Sequence, residues 1–127
     1  MSNREEIRRL LGELHAARVA GRLEDLCALF ADNAYFRISG ASDGKPVDVT
    51  ARGSAEIRTW LAVMVKSFRV TNYVSLATVI DGSQGVVHWQ ADIHSRITGA
   101  VTATHLVDLV EITEARISSY IEYFVPG

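Results

Sequence analysis

Gly85 to Ile112 reads GVVHWQADIHSRITGAVTATHLVDLVEI, two arms of alternating apolar and polar residues on either side of Thr98-Gly99. Alternation with a period of two, interrupted by a turn-forming pair, is the pattern of two long antiparallel strands joined by a tight turn. With Thr98 and Gly99 as the turn residues, Trp89 is expected to face Asp108, Ala91 to face Leu106 and Asp92 to face His105. One face of the hairpin then carries Trp89, Ala91, Ile93, Leu106, Asp108, Val110 and Ile112. A single acid stands in that apolar row.

Upstream of the hairpin, Phe68 to Asp81 alternates Val70, Val74, Leu76 and Ile80 with a second set that includes Tyr73, Ala77 and Val79, and Asp81-Gly82 turns it into the hairpin. Downstream, Arg116 to Val125 puts Ser118, Tyr120, Glu122 and Phe124 on one face and Ile117, Ile121 and Tyr123 on the other. A three-residue turn around Glu114 to Arg116 sets Asp108 opposite Tyr120 or Glu122. Near the N-terminus the period changes. Ile7, Leu10, Leu11 and Leu14 recur at three and four residues, which predicts a helix over Asn3 to Ala20, ended by Gly21. Leu23 to Phe30 reads as a second short helix broken by Asp32-Asn33, with Cys27 in its apolar surroundings as inert core. Ala34 to Ser39 and Val47 to Thr50 read as a hairpin about the turn Ser42-Asp43-Gly44-Lys45-Pro46. Ile57, Trp60 or Leu61, Met64 and Phe68 form the stripe of a third helix over Ser54 to Ser67.

Helices gathered before four long consecutive strands define an α+β layout, with the helices covering one face of the sheet. The strands are apolar on both faces, so the second face needs a cover. A second copy of the chain is the simplest one, and a homodimer is expected.

With 127 residues the chain is long enough for one domain with a real core, and no linker, repeat or low-complexity stretch divides residues 1–127. Thirteen basic against fifteen acidic side chains leave a net charge of -2 with no basic run, which argues against nucleic acid or an anionic membrane as partner. MSNREEIRRLL lacks the basic head and apolar run of a signal peptide, and no stretch is apolar enough to span a membrane. The lone Cys27 fits a reduced, cytoplasmic setting.

Four segments carry a resemblance in the right order over nearly the whole chain: ARVAGRLEDLCALFADNAYF (Ala17 to Phe36), RGSAEIRTWL (Arg52 to Leu61), VVHWQADIHS followed by THLVDLVEI, and the closing RISSYIEYF. Together they resemble the nuclear transport factor 2-like superfamily, in particular its bacterial SnoaL-like and ketosteroid-isomerase-like members. The resemblance implies an NTF2-like cone, a curved, mixed but mostly antiparallel sheet wrapped around three helices of the N-terminal half. It also implies a deep apolar pocket and dimers through the outer sheet face. Activities across that superfamily range from isomerases, dehydratases, cyclases and epoxide hydrolases to proteins without catalysis. Ketosteroid isomerases use a tyrosine, an aspartate base and a protonated aspartate. By the resemblance these positions fall on Leu14, Ile38 and Asp108, so two of the three functional groups are missing and that mechanism is not expected.

The candidate catalytic set is Asp108, Tyr120 and Glu122. A carboxyl flanked by Leu106 and Val110 is poorly solvated, which raises its pKa and lets the neutral acid donate a hydrogen bond to a carbonyl or enolate oxygen. Tyr120 and Glu122 are the partners the last strand offers. The structural alternative is a polar cluster that ties Asp108 or Glu122 to Arg18 or Arg58. Arg18 lies beside the first helix's apolar face with its stem on the core and its head expected in water, and His15 flanks the same face as a helix-edge residue at the pocket mouth. Leu14, Phe36, Ile38, Trp60, Met64, Trp89, Val110 and Phe124 complete the expected lining, and the ligand it suits is a small hydrophobic carbonyl compound. No cofactor is implied and no metal site is expected. His88 and His94 lie about 20 Å apart along a strand at ~3.3 Å per residue, and His105 beside Asp92 reads as an interface hydrogen bond. A non-catalytic dimeric binding module is the competing reading.

Overall fold

The computed structural model describes residues 3–42 and 44–126; Asp43, expected in the first turn, lies outside them. Helices α1 (Asn3–Ala20) and α2 (Leu23–Ala28) precede the hairpin β1 (Phe30–Ser42) and β2 (Lys45–Arg52). Helix α3 (Ser54–Ser67) follows, then β3 (Phe68–Asp81), β4 (Gln84–Ser95), β5 (Val101–Thr113) and β6 (Arg116–Pro126). The strands form one sheet in the order β2-β1-β6-β5-β4-β3. Only the β1–β6 pair is parallel, because the chain leaves the first hairpin through α3 and returns from the far edge.

Helix α1 buries Ile7, Leu10, Leu11, Leu14 and Ala17, the stripe its period predicts. Gly21, at φ +70°, closes it: the Arg22 N–H reaches the Ala17 carbonyl at 2.9 Å and the Gly21 N–H the Arg18 carbonyl at 3.2 Å, the bond pair of a glycine-terminated helix. Helix α3 turns Ile57, Leu61 and Met64 inward. Its Trp60, expected in the pocket wall, is 39% exposed, and the inward place on that turn belongs to Leu61. Helix α2 ends before Phe30, which starts β1 as the partner of Ile117 in β6. Asp32-Asn33 therefore does not stop an element; it sits in the irregular stretch of β1 between Phe30 and Tyr35.

The central hairpin keeps its expected faces and shifts its register. Trp89 faces Leu106, Asp108 faces Val87, and Asp92 faces Ala103. The turn is longer than Thr98-Gly99 because Ser95 organises it. Its hydroxyl accepts the N–H groups of Ile97 at 3.3 Å and Thr98 at 3.1 Å, and its carbonyl accepts that of Gly99 at 2.9 Å. A slip by an even number of residues returns every side chain to the same face, so the inner row still holds Trp89, Ala91, Leu106, Asp108, Val110 and Ile112, all buried.

The turn from β5 to β6 is also tighter than expected. Glu114 and Ala115 alone make it, both at positive φ (+52° and +64°), between the paired Thr113 and Arg116. A bulge after Ile117 then changes the parity of β6. Ile117, expected on the outer face, is fully buried, and Tyr120 and Glu122 still point inward. The outer face of the sheet stays open to solvent, with Val74, Leu76, Val79, Val101, Leu109, Tyr123 and Val125 exposed.

Candidate functional site

Where α1 crosses the inner face of the sheet, polar side chains from five elements meet in an otherwise apolar core. Successive turns of α1 supply His15 and Arg18, three residues apart and so on one side of the helix. The sheet supplies Tyr73 from β3, Trp89 from β4, Asp108 from β5, and Tyr120 with Glu122 from β6. Asp108 and Glu122 are in register across the β5–β6 pair, and both are essentially without solvent contact.

The group divides into two sets of hydrogen bonds. In the first, Asp108 Oδ2 is bonded to His15 Nε2 at 2.8 Å and accepts from Trp89 Nε1 at 3.1 Å, while His15 Nδ1 meets the Tyr73 hydroxyl at 2.6 Å. Asp108 Oδ1 is buried without a hydrogen-bond partner. In the second, the Arg18 guanidinium grips both oxygens of Glu122, with Nη2 to Oε1 at 3.1 Å. The Tyr120 hydroxyl donates to Glu122 Oε2 at 2.6 Å and accepts from Arg18 Nη1 at 3.1 Å. Arg18 also lies 5.2 Å above the Trp89 ring, a cation–π contact joining the two sets. The head of Arg18, expected in water, is inside because Glu122 is there to receive it.

Burial sets the electrostatics. It pushes Glu122 up, Arg18 pulls it back, and the neighbouring Asp108 raises it again, leaving a pKa of about 6. For Arg18, burial alone would lower the pKa; Glu122, Tyr120 and Asp108 together overturn that and hold the guanidinium charged. Tyr120 is lifted well above the ordinary phenol range by burial, then by the two carboxyls, against Arg18. Tyr73 is raised by burial, with a hydrogen bond from Ser75 acting the other way.

Among the expected residues, Asp108, Tyr120, Glu122, His15, Arg18 and Trp89 come together. Leu14, Phe36 and Val110 are buried core, and Phe36 stacks on Tyr120 at 5.6 Å. Met64 is core, Ile38 and Phe124 are half-buried, and Trp60 is outside. Arg58, the other cation considered for the acids, pairs with Glu24 at the surface. His15 is more central than a helix-edge residue: its exposure is 6%, and its ring packs on Trp89 at 5.1 Å and on Tyr73 at 5.5 Å.

Tyr73 is the residue that alternation missed. Counting by twos puts Tyr73 on the face opposite Val70, yet both turn inward, because β3 is irregular between Thr71 and Val74, where Asn72 takes φ +54°. Asn is the non-glycine residue that adopts this conformation most readily, so Asn72 within an otherwise β-branched run was the available signal. On the outer face the shifted register separates Asp92 from His105. Asp92 accepts from Asn72 at 2.7 Å, and His105 Nδ1 meets His88 Nε2 at 3.1 Å.

The site is packed. Two shallow hollows lie elsewhere, one of about 170 Å³ beside Asn72, Asp92 and His105, the other of about 190 Å³ beside Glu6, Ser83 and Glu114. Around Asp108 the rings of His15, Tyr73 and Trp89 pack on one another with centroids 5.1–5.5 Å apart. Among the described residues no group of three or more His, Cys, Asp or Glu side chains is arranged to hold a metal ion, and no helix is long and apolar enough to cross a membrane.

The family model of the SnoaL-like domain matches residues 5–120, and the chain belongs to that family. No curated protein matches it. Among solved structures it is similar to an NTF2-like protein from Burkholderia xenovorans LB400, at 19% identity and TM-score 0.77, over 94% of this chain and 89% of that one. It is similar to an LEH-like epoxide hydrolase from M. tuberculosis, at 15% identity and TM-score 0.72, over 94% of this chain and 83% of that one. It is also similar to the epoxide hydrolase/cyclase-like enzyme SalBIII of pyran ring formation in the polyether salinomycin, at 17% identity and TM-score 0.77, over 98% and 94%. At these identities the likeness is one of fold, and the fold is the NTF2-like α+β cone.

Proposed function

We propose that the chain binds a small, largely apolar carbonyl compound against Asp108, with Asp108 transferring the proton in an isomerase-, dehydratase- or cyclase-type reaction. The single observation carrying this reading is Asp108 Oδ1, buried without a partner while Oδ2 takes two bonds. An unsatisfied buried polar atom costs about 1–3 kcal/mol, and a ligand oxygen that shares a proton with Oδ1 removes that cost. As carboxylate, Oδ1 takes a proton from a substrate carbon or hydroxyl; as acid, it donates one to a carbonyl or ring oxygen. A similar structure described as an epoxide hydrolase/cyclase-like enzyme supports the cyclase-type reading. Leu14 and Ile38, apolar where ketosteroid isomerases carry their tyrosine and base, argue against the steroid isomerase mechanism. Entry requires the aromatic lining to part, and Tyr73 and Phe124 are its half-buried members.

The test is a crystal structure of protein purified without added ligand, together with Asp108→Asn. A small molecule or ordered water touching Oδ1, and loss of its binding in a folded Asp108→Asn protein, are expected. A closed interior, with Asp108→Asn failing to fold, would leave only a structural acid.

Saturation of Glu122 by Arg18 and Tyr120 favours a second reading, a non-catalytic binding module in which that pair is scaffold. In either reading we propose that the chain works as a homodimer through the exposed outer face of the sheet, in a cytoplasmic setting suited to its single Cys27.

A further inference from the structure

Exposure rises stepwise along one line of hydrogen bonds. Asp108 has no solvent contact, His15 is 6% exposed, Tyr73 is half-buried, and Ser75, beside the Tyr73 hydroxyl, is on the surface. The links are 2.8 Å from Asp108 Oδ2 to His15 Nε2 and 2.6 Å from His15 Nδ1 to the Tyr73 oxygen. Both lie within the range at which a proton crosses between heavy atoms. The other polar neighbours of Asp108 offer no such exit. Trp89 only donates, and beyond Glu122 stand Arg18, whose guanidinium keeps its protons, and Tyr120, which is buried.

We propose that Tyr73 and His15 form the proton path between Asp108 and solvent, with Tyr73 as its outer terminus. This inference rests on Asp108 being the proton-transfer group. Asp108 is sealed from water, so its carboxyl exchanges protons with solvent only through its hydrogen-bond partners. Exchange proceeds through the line: an incoming proton bonds to the Tyr73 oxygen as that oxygen releases its own to His15 Nδ1. The imidazole then releases its Nε2 proton to Asp108 Oδ2. One proton has entered, the carboxylate has become the acid at Oδ2, the phenol is restored and His15 has changed tautomer; the reverse sequence carries the proton out and restores His15, so the line equilibrates Asp108 with solvent one proton at a time. No charge is left on the imidazole or the phenol, which spares the buried site a second ion. The raised pKa of Tyr73 favours the intact phenol over a phenolate at the terminus. The charged and titratable groups facing His15 are Arg18 from its own helix, Tyr73 from β3, Asp108 from β5, and Tyr120 with Glu122 from β6 beyond Arg18.

The test reads proton exchange at Asp108 in the ligand-free protein. Carboxyl carbon-13 NMR on Asp-labelled protein, assigned by the signal missing from Asp108→Asn, gives the titration midpoint from the shift and the exchange rate from relaxation dispersion at that midpoint. Tyr73→Phe keeps the ring and removes the hydroxyl; His15→Gln keeps a donor toward Asp108 and cannot relay. Each is expected to slow exchange by about a hundredfold, the lower end of what a positioned proton-transfer group supplies, with a much smaller change in midpoint. A structural role alone would move the midpoint or the stability and leave the rate. Unchanged exchange in both variants would overturn the relay while leaving ligand binding at Asp108 open to its own test. Slowed exchange in a protein that binds nothing at Oδ1 would keep the relay and sink the functional reading.

Discussion

Arg18 and Glu122 form a buried ion pair whose side chains are 10% and 2% exposed, and breaking it from one side should cost far more than removing it whole. Glu122→Gln leaves the guanidinium inside with no counter-charge; Arg18→Met leaves the carboxylate with the Tyr120 hydroxyl as its remaining donor. Each is expected to lose about 3–5 kcal/mol, the usual result of orphaning a buried charge. The double variant holds no ion and should lose only about 2 kcal/mol, for one amide left incompletely bonded. The shortfall from additivity is then about 4–8 kcal/mol. Titration adds a sign. Glu122 is held near pKa 6 against its ordinary 4.5, so the folded state keeps its proton longer than the unfolded state does. That contribution is fully present below about pH 4.5 and lost as pH rises through about 6. Without Arg18 to pull it down, Glu122 titrates higher still. Arg18→Met should therefore look mild at pH 5 and severe at pH 8, while Glu122→Gln removes the wild-type slope in that window. Urea denaturation of the four proteins at both pH values measures all of this. Additivity within about 0.5 kcal/mol at pH 8 would refute the buried pair and put the Arg18 head in water.

Two further outcomes follow from packing. A Cβ on Gly40 would stand 2.6 Å from the Phe124 ring and from the Phe124 carbonyl oxygen, which belongs to the β1–β6 ladder and cannot retreat, so Gly40→Ala should cost about 1–3 kcal/mol in urea denaturation. A neutral result would mean the strands do not approach so closely. For the proposed dimer, sedimentation equilibrium should give twice the chain mass, and Val79→Lys with Leu109→Lys on the outer face should return monomers that remain folded; a wild-type monomer would refute it.

The fold was legible because burial on one face of each element leaves a period in the sequence that local irregularities do not erase. Alternation with Thr98-Gly99 as the turn places the central hairpin two residues out of register, yet Asp108 keeps its apolar row, since only an odd slip moves it to the outer face. Ile117 and Tyr73 were misplaced for the opposite reason: a bulge adds one residue, reverses the parity beyond it and leaves hardly any mark in composition. Thr98-Gly99 pointed to a turn but could not show that Ser95 would enlarge it, because that depends on hydroxyl bonds to backbone groups two and three residues on.

The candidate site was legible as residues and illegible as a network, and the difference lies in what a polar group must find once it is inside. An acid in an apolar strand is a demand for partners, and Asp108 could be read as such from Leu106 and Val110 alone. Which partners answer depends on how α1 is rotated over the sheet, a tertiary quantity. That rotation brings Arg18 to Glu122 rather than to Asp108, and it brings His15 to Asp108 rather than to the rim. The same crossing gives the two adjacent acids different partners. Glu122 receives a full charge and three donated hydrogen bonds; Asp108 receives an imidazole and an indole on Oδ2 and the neighbouring Glu122 carboxyl. Two carboxyls in register on adjacent strands are in this way given different environments by a single helix: Glu122 is saturated by Arg18 and Tyr120, so its removal should be felt first as instability, while Asp108 carries the proposed ligand contact on the oxygen that His15 and Trp89 leave alone.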